Sequence, residues 1–254
     1  MTIAELAKLI KQKEISPVEV TSVFLERIEE LDYKTNAFIT VMVDQAIADS
    51  KEAELEIIRG EYKGALHGVP IGLKDLYYTQ GVENTGGSKI PGWVNFIPKE
   101  DSTVTKRLKQ SGAIIIGKLN MHEFAAGGTN HNPNYGSSRN PWGLDHMTGG
   151  SSGGSGSAVA ASLCTAAMGS DTGGSVRIPS ALCGIVGLKP TYGRISCYGV
   201  IPLSWSQDHP GPMTKSVLDS GILMNSIAGY DPKDPFTSQE PVPDFTETLN
   251  KGIS

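Results

Sequence analysis

Cysteine is scarce in this chain: there are three in 254 residues, Cys164, Cys183 and Cys197, with no CxxC spacing and no histidine cluster beside them. That excludes a disulfide framework and offers no metal-ligand spacing, so the thiols read as buried side chains in a reducing compartment. Basic charge is also short. Lys and Arg number 22 against 27 Asp and Glu, giving a net charge of −5, which disfavours direct nucleic-acid binding or attraction to an anionic membrane. A long hydrophobic run is missing as well: the least polar stretch, Ser157 to Gly169, consists of small residues and is shorter than the roughly 18 residues a membrane span needs. The opening text, MTIAELAKLIKQKE, places Lys8, Lys11 and Lys13 where a secretory leader would be apolar. A soluble cytoplasmic chain with no membrane partner is expected.

Nucleotide chemistry is absent too. No Lys-Ser or Lys-Thr follows the glycine loops, which removes a phosphate-binding lysine, and no acidic residue stands at the spacing a dinucleotide-binding unit requires. No cofactor and no metal are predicted. The five histidines, His67, His122, His131, His146 and His209, carry no partner motif and read as loop or packing residues.

What is present is length enough for a large core and 30 glycines, many of them between 127 and 199. Thr2 and Glu5 have capping-box spacing ahead of Ile3, Leu6, Leu9 and Ile10, and Ser16, Pro17 and Glu19 supply N-cap, N1 and N3 signals for a second amphipathic helix. A third helix is predicted from about Asp44 to Gly60. After residue 65 the apolar runs VPIGLKD, AIIIGKLN, CTAAMGSD and IVGLKP alternate with helical stretches near 102–111, 153–163 and 214–228. That alternation predicts an α/β fold with a mixed, largely parallel sheet flanked by helices on both faces. The proline-punctuated end, from 231 onward, reads as loop.

The densest chemical signal lies between 148 and 196, where two glycine-serine elbows, Gly149-Gly150-Ser151-Ser152-Gly153-Gly154 and Gly173-Gly174-Ser175, are separated by a small-residue helix and a short strand. Such elbows let the backbone turn sharply and expose a serine at the end of an element. A serine hydroxyl needs a base, and no histidine qualifies. Lys74, at the end of the apolar run Gly68-Val69-Pro70-Ile71-Gly72-Leu73, would be desolvated there, which brings an ammonium down toward neutrality and makes a basic amine available.

In GVPIGLKD (68–75), TGGSSGGSG (148–156) and GSDTGGSVRIPSALCGIVGLKPTYGRIS (169–196) the chain resembles the amidase signature enzymes, serine hydrolases of carboxamides; the two elbow serines stand 24 residues apart, as in that family. The resemblance implies Ser175 as nucleophile, Ser151 as bridging serine after a cis Gly150–Ser151 peptide, and Lys74 as terminal base. It further implies an oxyanion hole in the backbone of Thr172, Gly173, Gly174 and Ser175, with Ser152, Asp171 and Arg177 supporting the site. For Asp171 with Arg177 the residues alone argue an ordinary loop-stiffening ion pair.

A full domain of that family is roughly twice as long, so residues 1–254 are expected to be its N-terminal part: a helical segment 1–64, an α/β catalytic core 65–230 and a loop-like tail 231–254. The implied substrate is a small-molecule amide, hydrolysed through an acyl-enzyme. The segment VIPLSWSQDHPGPM (200–213) looks more like general amidases than the alternative within the family, the glutaminase component of a tRNA-dependent amidotransferase, which releases ammonia from glutamine. An inactive fragment or a non-catalytic assembly module is the reading from another class. The resemblance leaves room for a homodimer through the N-terminal helices or for a partner subunit.

Overall fold

The computed structural model describes residues 1–90, 96–249 and 251–252. Helix α1 (Ile3–Lys11) starts where its text requires: Thr2 and Glu5 exchange backbone and side-chain hydrogen bonds of 2.8 and 3.2 Å. Helix α2 (Pro17–Thr35) opens on the same reciprocal bonding between Ser16 and Glu19. Each such cap is worth about 1 kcal/mol. Strand β1 (Phe38–Val41) and helix α3 (Val43–Ile58) follow, the latter close to its expected bounds.

Strand β2 (Pro70–Lys74), helix α4 (Thr103–Gln110) and strand β3 (Ile114–Leu119) form the first crossover, and both strands are buried at every residue. Burial on both faces is why their text is continuously apolar instead of alternating. A small ribbon, β4 (Arg139–Asn140) with β5 (Gly143–Met147), precedes helix α5 (Gly153–Ala160), strand β6 (Ala166–Asp171) and helix α6 (Arg177–Cys183). Strands β7 (Val186–Gly187) and β8 (His209–Thr214) and helix α7 (Val217–Ile227) complete the ordered elements.

The sheet order is β1-β3-β2-β6-β8-β7. The central trio β3-β2-β6 is parallel, while β1, β8 and β7 join through antiparallel ladders. The sheet is therefore mixed, with the parallel part at its centre. From β2 the chain steps to β3 on one side and then back across β2 to β6; right-handed crossovers in opposite directions put α4 and α5 on opposite faces. The carboxyl ends of β2 and β6 lie side by side at this switch point, where open α/β sheets place their sites.

Strand β8 is the element the sequence hid. Pro210 and Pro212 sit within it, and proline lacks the ladder donor. The Leu188 N–H donates to Pro212 O at 3.0 Å, so the prolines turn toward two-residue β7, and His209, Gly211 and Met213 carry the pairing to β6. Helix α5 ends at Ala160, three residues before its expected end, and Ser162 beyond it has φ 56°.

One hydrophobic core joins Ile3, Leu6 and Ile10 of α1 to Ile71 and Leu73 of β2 and Leu223 of α7. The N-terminal helices thus share the core of the sheet. Residues 231–249 and 251–252 contain no helix or strand; positions 250, 253 and 254 of the expected loop-like tail lie outside the described residues. Among the described residues no helix is long and apolar enough to cross a membrane.

Candidate active site

Strand β2 delivers Lys74 to the sheet's carboxyl edge with no solvent exposure. Its Nζ donates to Ser151 Oγ at 2.7 Å and to Ser170 Oγ at 2.9 Å. Ser151 arrives from the loop before α5, directly after a cis Gly150–Ser151 peptide, and is fully buried. Helix α5 can approach this closely because its first five residues are glycine and serine: a Cβ on Gly154 would stand 2.4 Å from Asn120 O and 2.5 Å from Ala37 O.

Ser152 stitches the two loops together. Its Oγ donates to Ser170 O and accepts from Ser170 N, both at 3.2 Å, past the point where β2 stops pairing with β6. The Ser152 N–H also donates to Ser175 O at 3.3 Å. Ser175 keeps 8 % of its surface accessible while Lys74 and Ser151 keep none. No hydrogen bond joins the hydroxyls of Ser151 and Ser175 among the described residues; the loops meet, and the Ser175 hydroxyl is left without a side-chain partner.

The turn carrying Ser175 is shaped by Asp171. Its carboxylate accepts from the backbone N–H groups of Gly174 (2.9 Å), Val176 (3.1 Å) and Arg177 (3.2 Å), and from the Arg177 guanidinium through two bonds of 3.0 and 2.9 Å. Burial pushes the Asp171 carboxyl up, but Arg177 and these amides outweigh it and hold the group below its ordinary value. Of the four backbone N–H groups expected to face an oxyanion, that of Gly174 is the one bonded to Asp171 in this structure. Thr172, Gly173 and Ser175 retain N–H groups with no protein acceptor among the described residues. The Thr172 hydroxyl donates to Asp208 Oδ1 at 2.5 Å, and Asp208 is held in turn by the Leu203 and Ser204 amides.

Burial pushes the Lys74 ammonium down to about 7, against the upward pull of the Asp208 and Asp171 carboxylates. A neutral amine is therefore accessible near neutral pH. Sequence reasoning missed Ser170 and Asp208, whose only signal is proximity in the fold. It also missed Lys118, a second buried lysine at a strand end, whose text IIIGKL parallels PIGLK. Lys118 Nζ donates to Tyr77 O (2.8 Å) and Asn84 Oδ1 (2.7 Å) and lies 2.9 Å from Asp75 Oδ1. Among the described residues it has an acidic partner within salt-bridge distance, and Lys74 has none. Cys164 and Cys183 are buried and Cys197 is half-buried; burial pushes each thiol up to about 12. Among the described residues no three His, Cys, Asp or Glu converge as metal ligands.

A family model for amidases matches residues 19–252. The chain is 49% identical over 253 residues to the glutamyl-tRNA(Gln) amidotransferase A subunit of Geobacter sp. (strain M21), covering all of this chain and 52% of that protein. It is 48% identical over 252 residues to the same component of Trichlorobacter lovleyi, covering 99% and 51%. Among solved structures, the native peptide amidase of Stenotrophomonas maltophilia superposes with a TM-score of 0.91 at 36% identity, over 97% of this chain and 52% of that one. A chain from a vestigial protein complex tied to the origins of an s-triazine catabolic enzyme gives a TM-score of 0.96 at 38% identity, over 100% and 55%. The chain spans about half the length of the curated relatives it matches.

Proposed function

Because this chain belongs to the amidase family, we propose that it cleaves carboxamide C–N bonds by transferring the acyl group to Ser175, with Ser151 as relay and Lys74 as terminal base. The observation that carries this reading is the buried Lys74 amine, 2.7 Å from Ser151 Oγ and brought down to about 7. In the proposed reaction the Ser151 hydroxyl passes its proton to neutral Lys74 and takes one from Ser175. The Ser175 oxygen then bonds to the amide carbon. The link between the two serines closes as substrate seats, since catalytic hydrogen bonds often tighten only in the complex. Amides of Thr172, Gly173 and Ser175 face the developing oxyanion, where loss of one donor typically costs about 3–4 kcal/mol. The proton held on Lys74 returns through Ser151 to the departing nitrogen, the C–N bond breaks, and water releases the acyl group by the same relay. Every step uses this chain's own groups, so the reading calls for no cofactor, and three cysteines that form no disulfide fit a reducing cytoplasm.

The substrate in this reading is a small carboxamide. A second reading, that of an amidotransferase component releasing ammonia from glutamine with a partner subunit, is favoured by one observation: identity to those amidotransferase chains is 46–49% across the whole chain, against 33–38% to the solved structures. Labelling with a fluorophosphonate, followed by peptide mass spectrometry, tests the common core. An adduct on Ser175 that is lost in Ser175→Ala supports it; a folded chain that never labels favours a non-catalytic assembly module. Turnover of simple carboxamides by the chain alone selects the amidase, and glutamine hydrolysis that requires a partner selects the amidotransferase.

A further inference from the structure

Ser170 lies five residues before Ser175, on β6, and nothing in the elbow motifs singles it out. It is 5 % exposed, and its polar atoms are all engaged at the site. Its backbone N–H and C=O are both bonded to Ser152 Oγ, and its own Oγ accepts from Lys74 Nζ at 2.9 Å. Ser151 and Ser170 are the partners of the Lys74 amine among the described residues.

That pairing has a consequence for a base. A neutral amine carries two N–H donors and a single lone pair at fixed tetrahedral angles. To take a proton from Ser151 it must turn the lone pair toward that hydroxyl, and an N–H must then be received elsewhere. A lysine side chain is long and rotamer-rich, so without a second acceptor the amine is free to present an N–H to Ser151, the wrong polarity for a base.

We propose that Ser170 is a positioning residue for the amide-cleaving reaction: its hydroxyl receives an N–H of Lys74 and so aims the amine's lone pair at Ser151. The inference rests on the reading of Lys74 as base given above. Because the same oxygen also accepts from the protonated amine, and a bond to the charged form is the stronger one, Ser170 favours the ammonium. Removing it therefore lowers the affinity of Lys74 for its proton. The other groups acting on Lys74 are the carboxylates of Asp208 and Asp171, which favour the charged amine; the charge of Lys74 is felt in turn by His122, in the turn after β3, where it adds to the downward push of burial.

The test compares the parent chain with Ser170→Ala and Ser170→Thr, reading the pH dependence of fluorophosphonate labelling at Ser175 and the titration of Lys74 by NMR of ε-carbon-labelled lysine. In Ser170→Ala labelling should slow by about a hundredfold, the scale of a misplaced catalytic group. Its acid limb and the Lys74 titration should both move to lower pH, and Ser170→Thr should restore each. Ser170→Ala with parental rate and parental titration overturns the proposal. So does a variant that is slower and less heat-stable while the Lys74 titration stays in place, since that is what a merely structural serine would do. If the parent itself never labels, the Ser175 reading fails, and the NMR titration alone then decides whether Ser170 holds Lys74.

Discussion

Asp171 and Arg177 close a two-pronged ion pair, Nε to Oδ2 at 3.0 Å and Nη2 to Oδ1 at 2.9 Å, across the turn that carries Ser175. The carboxylate is buried and the guanidinium side chain is 54% exposed, so the pair stiffens the turn from outside without filling the site. Arg177→Ala leaves a buried carboxylate with backbone N–H partners only. The expected cost is about 1–3 kcal/mol of stability, measured by urea unfolding, together with slower labelling of Ser175. Because the Asp171 group is held below its ordinary value, its contribution is present above the unfolded value near 4 and fades as pH falls further. Loss of Arg177 should move the acid-unfolding midpoint upward.

Lys74 acts with the opposite sign. Its folded value, about 7, lies below the ordinary 10.5, so the unfolded chain binds more protons between these limits and stability rises with pH across that window. Below pH 7 the penalty of a buried ammonium is felt in full, on the order of 5 kcal/mol. Lys74→Met should therefore abolish labelling while raising the melting temperature, more at pH 6 than at pH 10. A variant that melts lower at every pH would show the amine to be a structural contact.

Asp208 is the strongest charge acting to keep Lys74 protonated. Asp208→Asn should shift the acid limb of the labelling profile to lower pH. An unmoved limb would separate Asp208 electrically from the lysine.

Gly154→Ala places a methyl group within 2.4 Å of Asn120 O, a backbone atom that cannot step aside without moving β3. Overpacking of this kind costs about 1–3 kcal/mol. Thermal unfolding should show the loss, and Gly173→Ala, with open space around its Cβ, should not.

Alkylation reports on the three thiols. With each pushed up to about 12 by burial, iodoacetamide at pH 8 should leave Cys164, Cys183 and Cys197 unmodified in the folded chain, as read by intact mass. Rapid uptake at any of them would contradict their burial.

How much of the molecule was legible in the sequence depended on whether the determining force was local. The caps of α1 and α2 are contacts between residues three apart, and Thr2, Glu5, Ser16 and Glu19 declared them outright. Lys74 was visible because a charge at the end of a doubly buried strand is costly enough to need a reason. Ser170 was not, because a serine between Gly169 and Asp171 acquires its meaning only when β6 lies beside β2. Strand β8 was masked by Pro210 and Pro212, whose missing donors matter on one edge only. The bond from the Gly174 N–H to Asp171 was hidden for a related reason: it exists only once the turn bends the chain back onto the carboxylate.

The pairing of β2 with β6 sets Ile71 opposite Ala166 and Leu73 opposite Met168, which joins segments nearly a hundred residues apart in the chain. Contacts of that span form slowly, since a long loop must close before any of them offsets its entropy. Lys74 can meet Ser151 and Ser170 only where this ladder holds β2 beside β6, so the polar cluster takes its geometry from an apolar framework. Until β6 docks against β2 the amine stands in water near its ordinary 10.5, protonated and with no base to offer.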